Sequence, residues 1–209
     1  MDGLKPAARP KVTRAAFARL HECPGGPHDP VQQAISQVLE ELSAASSAIA
    51  VAPFGCALVL FESLDIDCVT VPPGRAPAVA AGLKSVHPDA LVICYQGGWD
   101  ATSTGAGEVL HAAHRGDPIT VIHTDLDEEA APGLPLAELV AAVGGSAPAY
   151  VERVVFSGEA SLPQLTAVLA RALALQREIR AFGFVEVVSP VRVRAGKRSP
   201  GCLREAEAK

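Results

Sequence analysis

Apolar residues recur along the chain in two patterns, short runs rich in Val and Ile and longer stretches with helical spacing. The first helix is predicted to begin at Asp29-Pro30, where an acidic cap precedes a proline in the first turn. The apolar residues of this helix share one face and are Val31, Ile35, Val38, Leu39 and Leu42.

Six short segments rich in Val or Ile predict strands, at about 48–52, 67–71, 90–95, 118–123, 149–155 and 183–188. Further helical patterns lie between them, at about 75–86, 104–115, 135–143 and 161–180. The alternation predicts the α/β fold class, with a doubly wound, mostly parallel sheet.

The periodic pattern also predicts the domain organisation. Residues 1–20 are basic and rich in Ala and Pro, and they are expected to form a loose arm. Residues 21–190 are predicted to form one α/β domain, and residues 191–209 an irregular tail.

Composition narrows the class of protein. A chain of 209 residues that is 49% hydrophobic can bury one substantial core. A net charge of −5 without a basic face argues against nucleic acid as a partner. The sequence has no apolar run of the about 18 to 20 residues that a membrane-spanning helix needs. Its five cysteines are an odd number and are scattered, which indicates reduced thiols rather than a disulfide framework. A cytoplasmic protein without a membrane segment is therefore expected.

Candidate chemistry follows the third and fourth predicted strands. Gly97, Gly98 and Asp100 come after one strand, and His123 and Asp125 end the next. In an open α/β sheet, ligands bind at the carboxyl ends of the strands. These residues therefore predict a binding site at one edge of the sheet.

Several ordered segments resemble one family. They are Cys23-Pro24-Gly25-Gly26-Pro27-His28, the block from Gly74 to Lys84, Tyr95-Gln96-Gly97, the segment from Ala149 to Val154, and Phe184 to Pro190. Together they resemble the β subunit of 2-oxoacid:ferredoxin oxidoreductases, the subunit that holds thiamine diphosphate. The resemblance implies the thiamine-diphosphate-binding fold.

The resemblance also implies positions for the family's functional groups. Asp125 matches a position of the family's metal site. Cys23 and Cys56 match positions of its iron–sulfur cluster. The positions that match its cofactor site are Gly55, Cys56, Gly74, Arg75, Gly97, Gly98 and Asp100.

The chain departs from the family pattern at the positions that bind the metal, the cofactor and the iron–sulfur cluster. Gly97-Gly98-Trp99 stands where the family reads Gly-Asp-Gly, so that a carboxylate ligand of Mg²⁺ is missing. Asp125-Leu126 replaces an Asn pair, and the loop that wraps the diphosphate in the family is deleted after it. Pro73 stands in place of a His. Gly26 and Val191 replace two cluster cysteines, and a cubane needs four thiolates.

These departures predict a non-catalytic, β-subunit-like pseudoenzyme that binds neither cofactor nor cluster. Its expected partner is an α/γ-type subunit, in a hetero- or homo-oligomer. Catalytic residues, substrate, electron acceptor and stoichiometry are not determined by the sequence.

Two other classes of function remain open. One is an active thiamine-diphosphate- and Mg²⁺-dependent subunit with unusual ligands, which would oxidise a 2-oxoacid. The other is a small-molecule or metal-binding protein that reuses the cleft, for which the candidate residues are His111, His114, His123 and Asp125. His111 and His114 share a helical face, as a metal would require.

Overall fold

The computed structural model describes residues 28–54, 57, 64–97, 100–125, 135–145 and 149–189. Within these ranges six strands form one sheet in the order β2-β1-β3-β4-β6-β5, and every neighbouring pair is parallel. The predicted doubly wound α/β fold is therefore confirmed. The strands are Ala48–Pro53 (β1), Asp67–Val71 (β2), Leu91–Gly97 (β3), Thr120–Asp125 (β4), Ala149–Val155 (β5) and Phe182–Val188 (β6).

Helices cover both faces of the sheet and bury a separate apolar layer on each. The first and last helices pack on one face, and the three between them pack on the other. Side chains alternate between the two faces along each strand, which is why both layers draw on the same strands. The helices are His28–Glu41 (α1), Ala76–Val86 (α2), Ala106–Arg115 (α3), Leu136–Val143 (α4) and Leu162–Ile179 (α5).

A buried glutamine of α5 joins the helix to the sheet. The side-chain amide of Gln176 donates hydrogen bonds to the carbonyl of Val92 and to Thr120 Oγ1, at 2.9 and 2.8 Å. Its oxygen accepts the amide N–H of Val92 at 2.9 Å. Pairing of β3 with β4 begins at Ile93 and Thr120, so Gln176 satisfies backbone groups just before the ladder starts.

A glycine turn leads from β2 into α2. Gly74 has φ +76°, and a Cβ on it would lie 2.6 Å from Thr104 Oγ1 and 2.8 Å from the nitrogen of Gly105. Glycine is needed here both for its backbone conformation and for the close approach of the next segment.

Two predicted boundaries differ from the structure. The helix predicted at about 104–115 is preceded by a π-helical turn, Asp100–Thr104, and α3 begins after Gly105. Gly105 comes so close to the turn that a Cβ would lie 2.3 Å from the carbonyl oxygen of Asp100. The strand predicted at about 118–123 begins and ends two residues later, because Ile119 instead bonds to the carbonyl of Asp117.

The predicted arm and tail, and the first residues of the predicted domain, lie outside the described residues. Among the helices that the structure describes, none is long and apolar enough to cross a membrane.

Candidate functional site

The carboxyl edge of the sheet brings together most of the described residues that the sequence singled out. Gly97 ends β3 and pairs with Thr124, and Asp125 ends β4 next to it. The Gly74 turn follows β2 and packs against the segment that leads into α3. Parallel strands all point their carboxyl ends the same way, which places these residues on one side of the molecule.

Arg75 is engaged in an ion pair across this edge. Its guanidinium donates to Glu108 of α3 at 2.6 Å, and the two side chains are 55% and 26% exposed. The pair links the Gly74 turn to α3. The guanidinium is therefore directed toward a carboxylate of the same chain.

Asp100 lies close to the end of β3. A Cβ on Gly97 would be 3.9 Å from one carboxylate oxygen of Asp100, so the acid lies just beyond the strand. Asp125 ends the neighbouring strand and is half-buried. Both carboxylates have interactions within the protein.

A polar row crosses the sheet just before this edge and is buried except at its Arg153 end. The apolar patterns of the strands do not predict it. In the strand register, Gln96 of β3 is paired with His123 of β4, His123 with Glu186 of β6, and Glu186 with Arg153 of β5. Neighbouring residues in register point to the same face of a parallel sheet. Gln96 and His123 are fully buried, and Glu186 is 4% exposed.

The imidazole of His123 is buried within this row. It stacks near Phe184, with ring centroids 6.4 Å apart. Burial lowers the pKa of His123 to about 4, and the carboxylate of Asp125 and the carbonyl of Gln96 oppose this shift only in part. The ring is therefore neutral at pH 7.

Glu186 lies where the row meets α4. Burial raises the pKa of its carboxyl group, while Arg153 and the backbone N–H groups of Ala137 and Leu136 lower it. Arg153 Nε lies 3.2 Å from Glu186 Oε2. The acid thus faces the first N–H groups of α4, a position that stabilises a helix start.

His28, the last residue of the family-like Cys-Pro-Gly-Gly-Pro-His segment, begins α1. Its Nδ1 lies 2.5 Å from the hydroxyl of Tyr95, and both residues are buried. This contact joins α1 to β3 on the face opposite to the polar row. It gives His28 a structural role in the observed fold.

The proposed histidine metal site is not assembled. His111 and His114 are exposed on α3, whereas His123 is fully buried in the sheet. His114 Nδ1 instead lies 3.4 Å from the carbonyl of Val143. Among the described residues, no group of three His, Cys, Asp or Glu side chains could hold a metal ion.

The described residues at the carboxyl edge carry carboxylates, a type of ligand that Mg²⁺ accepts. Asp100, Asp125 and Glu186 make this part of the protein acidic, and Arg75 already pairs with Glu108. An anionic diphosphate needs a metal or a cation to offset that charge. Four of the positions implied by the resemblance lie outside the described residues, namely Cys23, Gly55, Cys56 and Gly98.

Comparison with known proteins gives relatives of one kind. The chain is 30% identical over 202 residues to ketoisovalerate oxidoreductase subunit VorA of Methanothermobacter thermautotrophicus, a match that covers 84% of this chain and 42% of the relative. It is 27% identical over 100 residues to 2-oxoglutarate synthase subunit KorB of Archaeoglobus fulgidus, covering 48% and 38%. The chain thus spans about two fifths of the length of these relatives. No protein-family model matches it.

Solved structures share the fold. The 2-oxoglutarate:ferredoxin oxidoreductase from Magnetococcus marinus superposes with a TM-score of 0.67 at 19% identity, over 88% of this chain and 68% of that one. Benzoylformate decarboxylase from Polynucleobacter necessarius superposes with a TM-score of 0.57 at 13% identity, over 88% of this chain and 36% of that one. A putative thiamin diphosphate-dependent enzyme from Mycobacterium smegmatis superposes with a TM-score of 0.53 at 17% identity, over 80% of this chain and 32% of that one.

Proposed function

Because this chain belongs to the family of 2-oxoacid:ferredoxin oxidoreductase subunits, we propose that it is a β-subunit-like member that has lost catalysis and acts as a partner subunit. The observation that carries this proposal is Gly97-Gly98-Trp99 at the end of β3, where the family pattern reads Gly-Asp-Gly. Gly98 offers no carboxylate to Mg²⁺, and Trp99 stands where the family pattern has a glycine.

The charges at the carboxyl edge support the same proposal. Arg75 is directed to Glu108 at 2.6 Å, and Asp100 and Asp125 add negative charge near the ends of β3 and β4. Without a metal, these acids repel a diphosphate. The expected loss of the iron–sulfur cluster rests on the sequence, through Gly26 and Val191.

Titration calorimetry with thiamine diphosphate and Mg²⁺ tests the loss of the cofactor. We expect binding at least about 100-fold weaker than at a complete family site, since each 1.4 kcal/mol is about tenfold in affinity. The variant Gly98→Asp should not restore binding, because Trp99 and the deleted loop remain. A dissociation constant in the micromolar range or below would contradict the proposal.

An active subunit with unusual ligands is the second candidate, and the two carboxylates of Asp100 and Asp125 at neighbouring strand ends favour it. In that case they would replace the missing ligand of Mg²⁺. The double variant Asp100→Asn, Asp125→Asn then abolishes thiamine diphosphate binding, whereas the non-catalytic subunit shows no binding to lose.

The partner is proposed to be an α/γ-type subunit of a 2-oxoacid oxidoreductase-like complex. Its support is that the relatives are named as subunits. Co-expression with such a subunit from the same genome, followed by size-exclusion chromatography, should give a stable complex. A chain that elutes as a stable monomer both alone and beside that subunit would contradict the subunit role.

A further inference from the structure

Gln96 and His123 form a buried pair whose side-chain polar atoms lack well-aligned hydrogen-bond partners. Both residues are 0% exposed. Oε1 and Nε2 of Gln96 have no hydrogen-bond partner in the described part of the chain. Nδ1 and Nε2 of His123 have no well-aligned partner either, although the ring lies near enough to the backbone carbonyl of Gln96 to be influenced by it. The two side chains point to the same face of the sheet from paired positions of β3 and β4, and they do not bond to each other.

Such a pair destabilises the folded protein if no polar group contacts it. A buried polar group without a partner loses its hydrogen bonds to water on folding and gains none in return, and the pair has four such atoms. In the same protein, Gln176 shows the usual outcome, since its buried amide makes three hydrogen bonds. A polar occupant beside Gln96 and His123 would remove this destabilisation.

The surroundings limit what that occupant can be. Neighbouring strands are only about 4.8 Å apart, so an occupant that contacts two side chains in register can be no larger than a water molecule. Full burial excludes a large ligand, and the carboxylates of Glu186 and Asp125 nearby disfavour an anion. A water molecule needs two to four polar partners, and the pair supplies both donors and acceptors.

We propose that Gln96 and His123 bind an internal water molecule that bridges the amide to the imidazole. The water extends the polar row from β3 to β4, beside Glu186 and its ion pair with Arg153. The water also orients the neutral ring of His123. The ring nitrogen that faces the water then acts either only as a hydrogen-bond donor or only as an acceptor. The site is independent of whether the subunit is catalytic.

A crystal structure of the full chain, refined at about 1.8 Å or better, tests the proposal directly. The expected result is one ordered water within hydrogen-bonding distance of a His123 ring nitrogen and of the Gln96 amide. A direct Gln96–His123 hydrogen bond, density for a larger molecule, or no density between the two side chains would each overturn the proposal.

Variants provide a second test in solution. A shared water couples its two partners, so the effects of His123→Phe and Gln96→Leu on the folding equilibrium constant should not multiply in the double variant. We expect a discrepancy of about fivefold or more. The matched control is Gln32→Leu, a buried glutamine of α1 on the other side of the sheet, whose effect should multiply with that of His123→Phe. Independent effects in the Gln96 pair would contradict a shared water.

Discussion

At the scale of single residues, Gly74 is held by two constraints at once. Its φ is +76°, and a Cβ would lie within 2.8 Å of Thr104 and Gly105. We therefore predict that Gly74→Ala lowers the free energy of unfolding by about 2–4 kcal/mol, from backbone strain and overpacking together. The measurement is the urea midpoint.

Gly82 is the matched control, since it lies in α2 with no atom within 4 Å of an added Cβ. Gly82→Ala should raise the free energy of unfolding by about 0.5–1 kcal/mol, because alanine restricts the unfolded chain and favours the helix. Equal effects of the two substitutions would show that the Gly74 turn is not packed as described.

His123 predicts how stability depends on pH. Its pKa is about 4 in the folded protein against 6.5 for an ordinary histidine, so that between these values the unfolded chain binds a proton that the folded chain does not. Stability is then present above pH 6.5 and is lost as the pH falls toward 4. The loss attributable to this group is about 3 kcal/mol.

Urea denaturation of the protein and of His123→Phe, measured between pH 7 and 4, tests the predicted loss of stability at low pH. The variant should lose less stability over that range, because phenylalanine takes up no proton. Parallel curves for the two proteins would mean that His123 is not buried as a neutral ring.

The sequence identified His123 as a candidate ligand but gave no sign of the row to which it belongs. Gln96 and Glu186 lie within apolar strands, 90 residues apart, and their proximity depends on the order and register of β3, β4 and β6. Strand order of this kind follows from long-range packing, which local periodicity does not encode. Gly74, by contrast, stood in a recognisable motif.

At the scale of elements, α5 is joined to the sheet through Gln176. Replacing Gln176 by Met keeps the side-chain volume but leaves the N–H and C=O of Val92 without partners. We predict a loss of about 2–4 kcal/mol in the free energy of unfolding, since each unsatisfied buried group costs about 1–3 kcal/mol.

Guanidinium denaturation and hydrogen exchange at the Val92 amide measure this effect. The control is Gln164→Met, an exposed position of the same helix, which should change stability by no more than about 0.5 kcal/mol. Similar losses in both variants would contradict the role given to Gln176.

Most helices and strands were predictable because their patterns are strong. All six strands and five helices lie within about two residues of the expected bounds. The π-helical turn was not predictable, since it depends on Gly105 packing against Asp100 and on the nearby Gly74 turn. The sequence shows small residues there but not what they contact.

At the scale of the whole molecule, the fold is that of thiamine-diphosphate-dependent enzymes, and the resemblance seen in the sequence agrees with the relatives. The fold alone does not require the chemistry, because function depends on the site. The departures at Gly98, Trp99 and Gly26 concern such sites, and they motivate the proposal of a non-catalytic subunit.

Native mass spectrometry of the protein purified from its own cells tests that proposal most directly, since it reports partner and cofactor in one measurement. We predict a complex that contains this chain and a second polypeptide, with neither thiamine diphosphate nor an iron–sulfur cluster assigned to this chain on dissociation. Stoichiometric thiamine diphosphate released with this chain, or a monomer without a partner, would contradict the account.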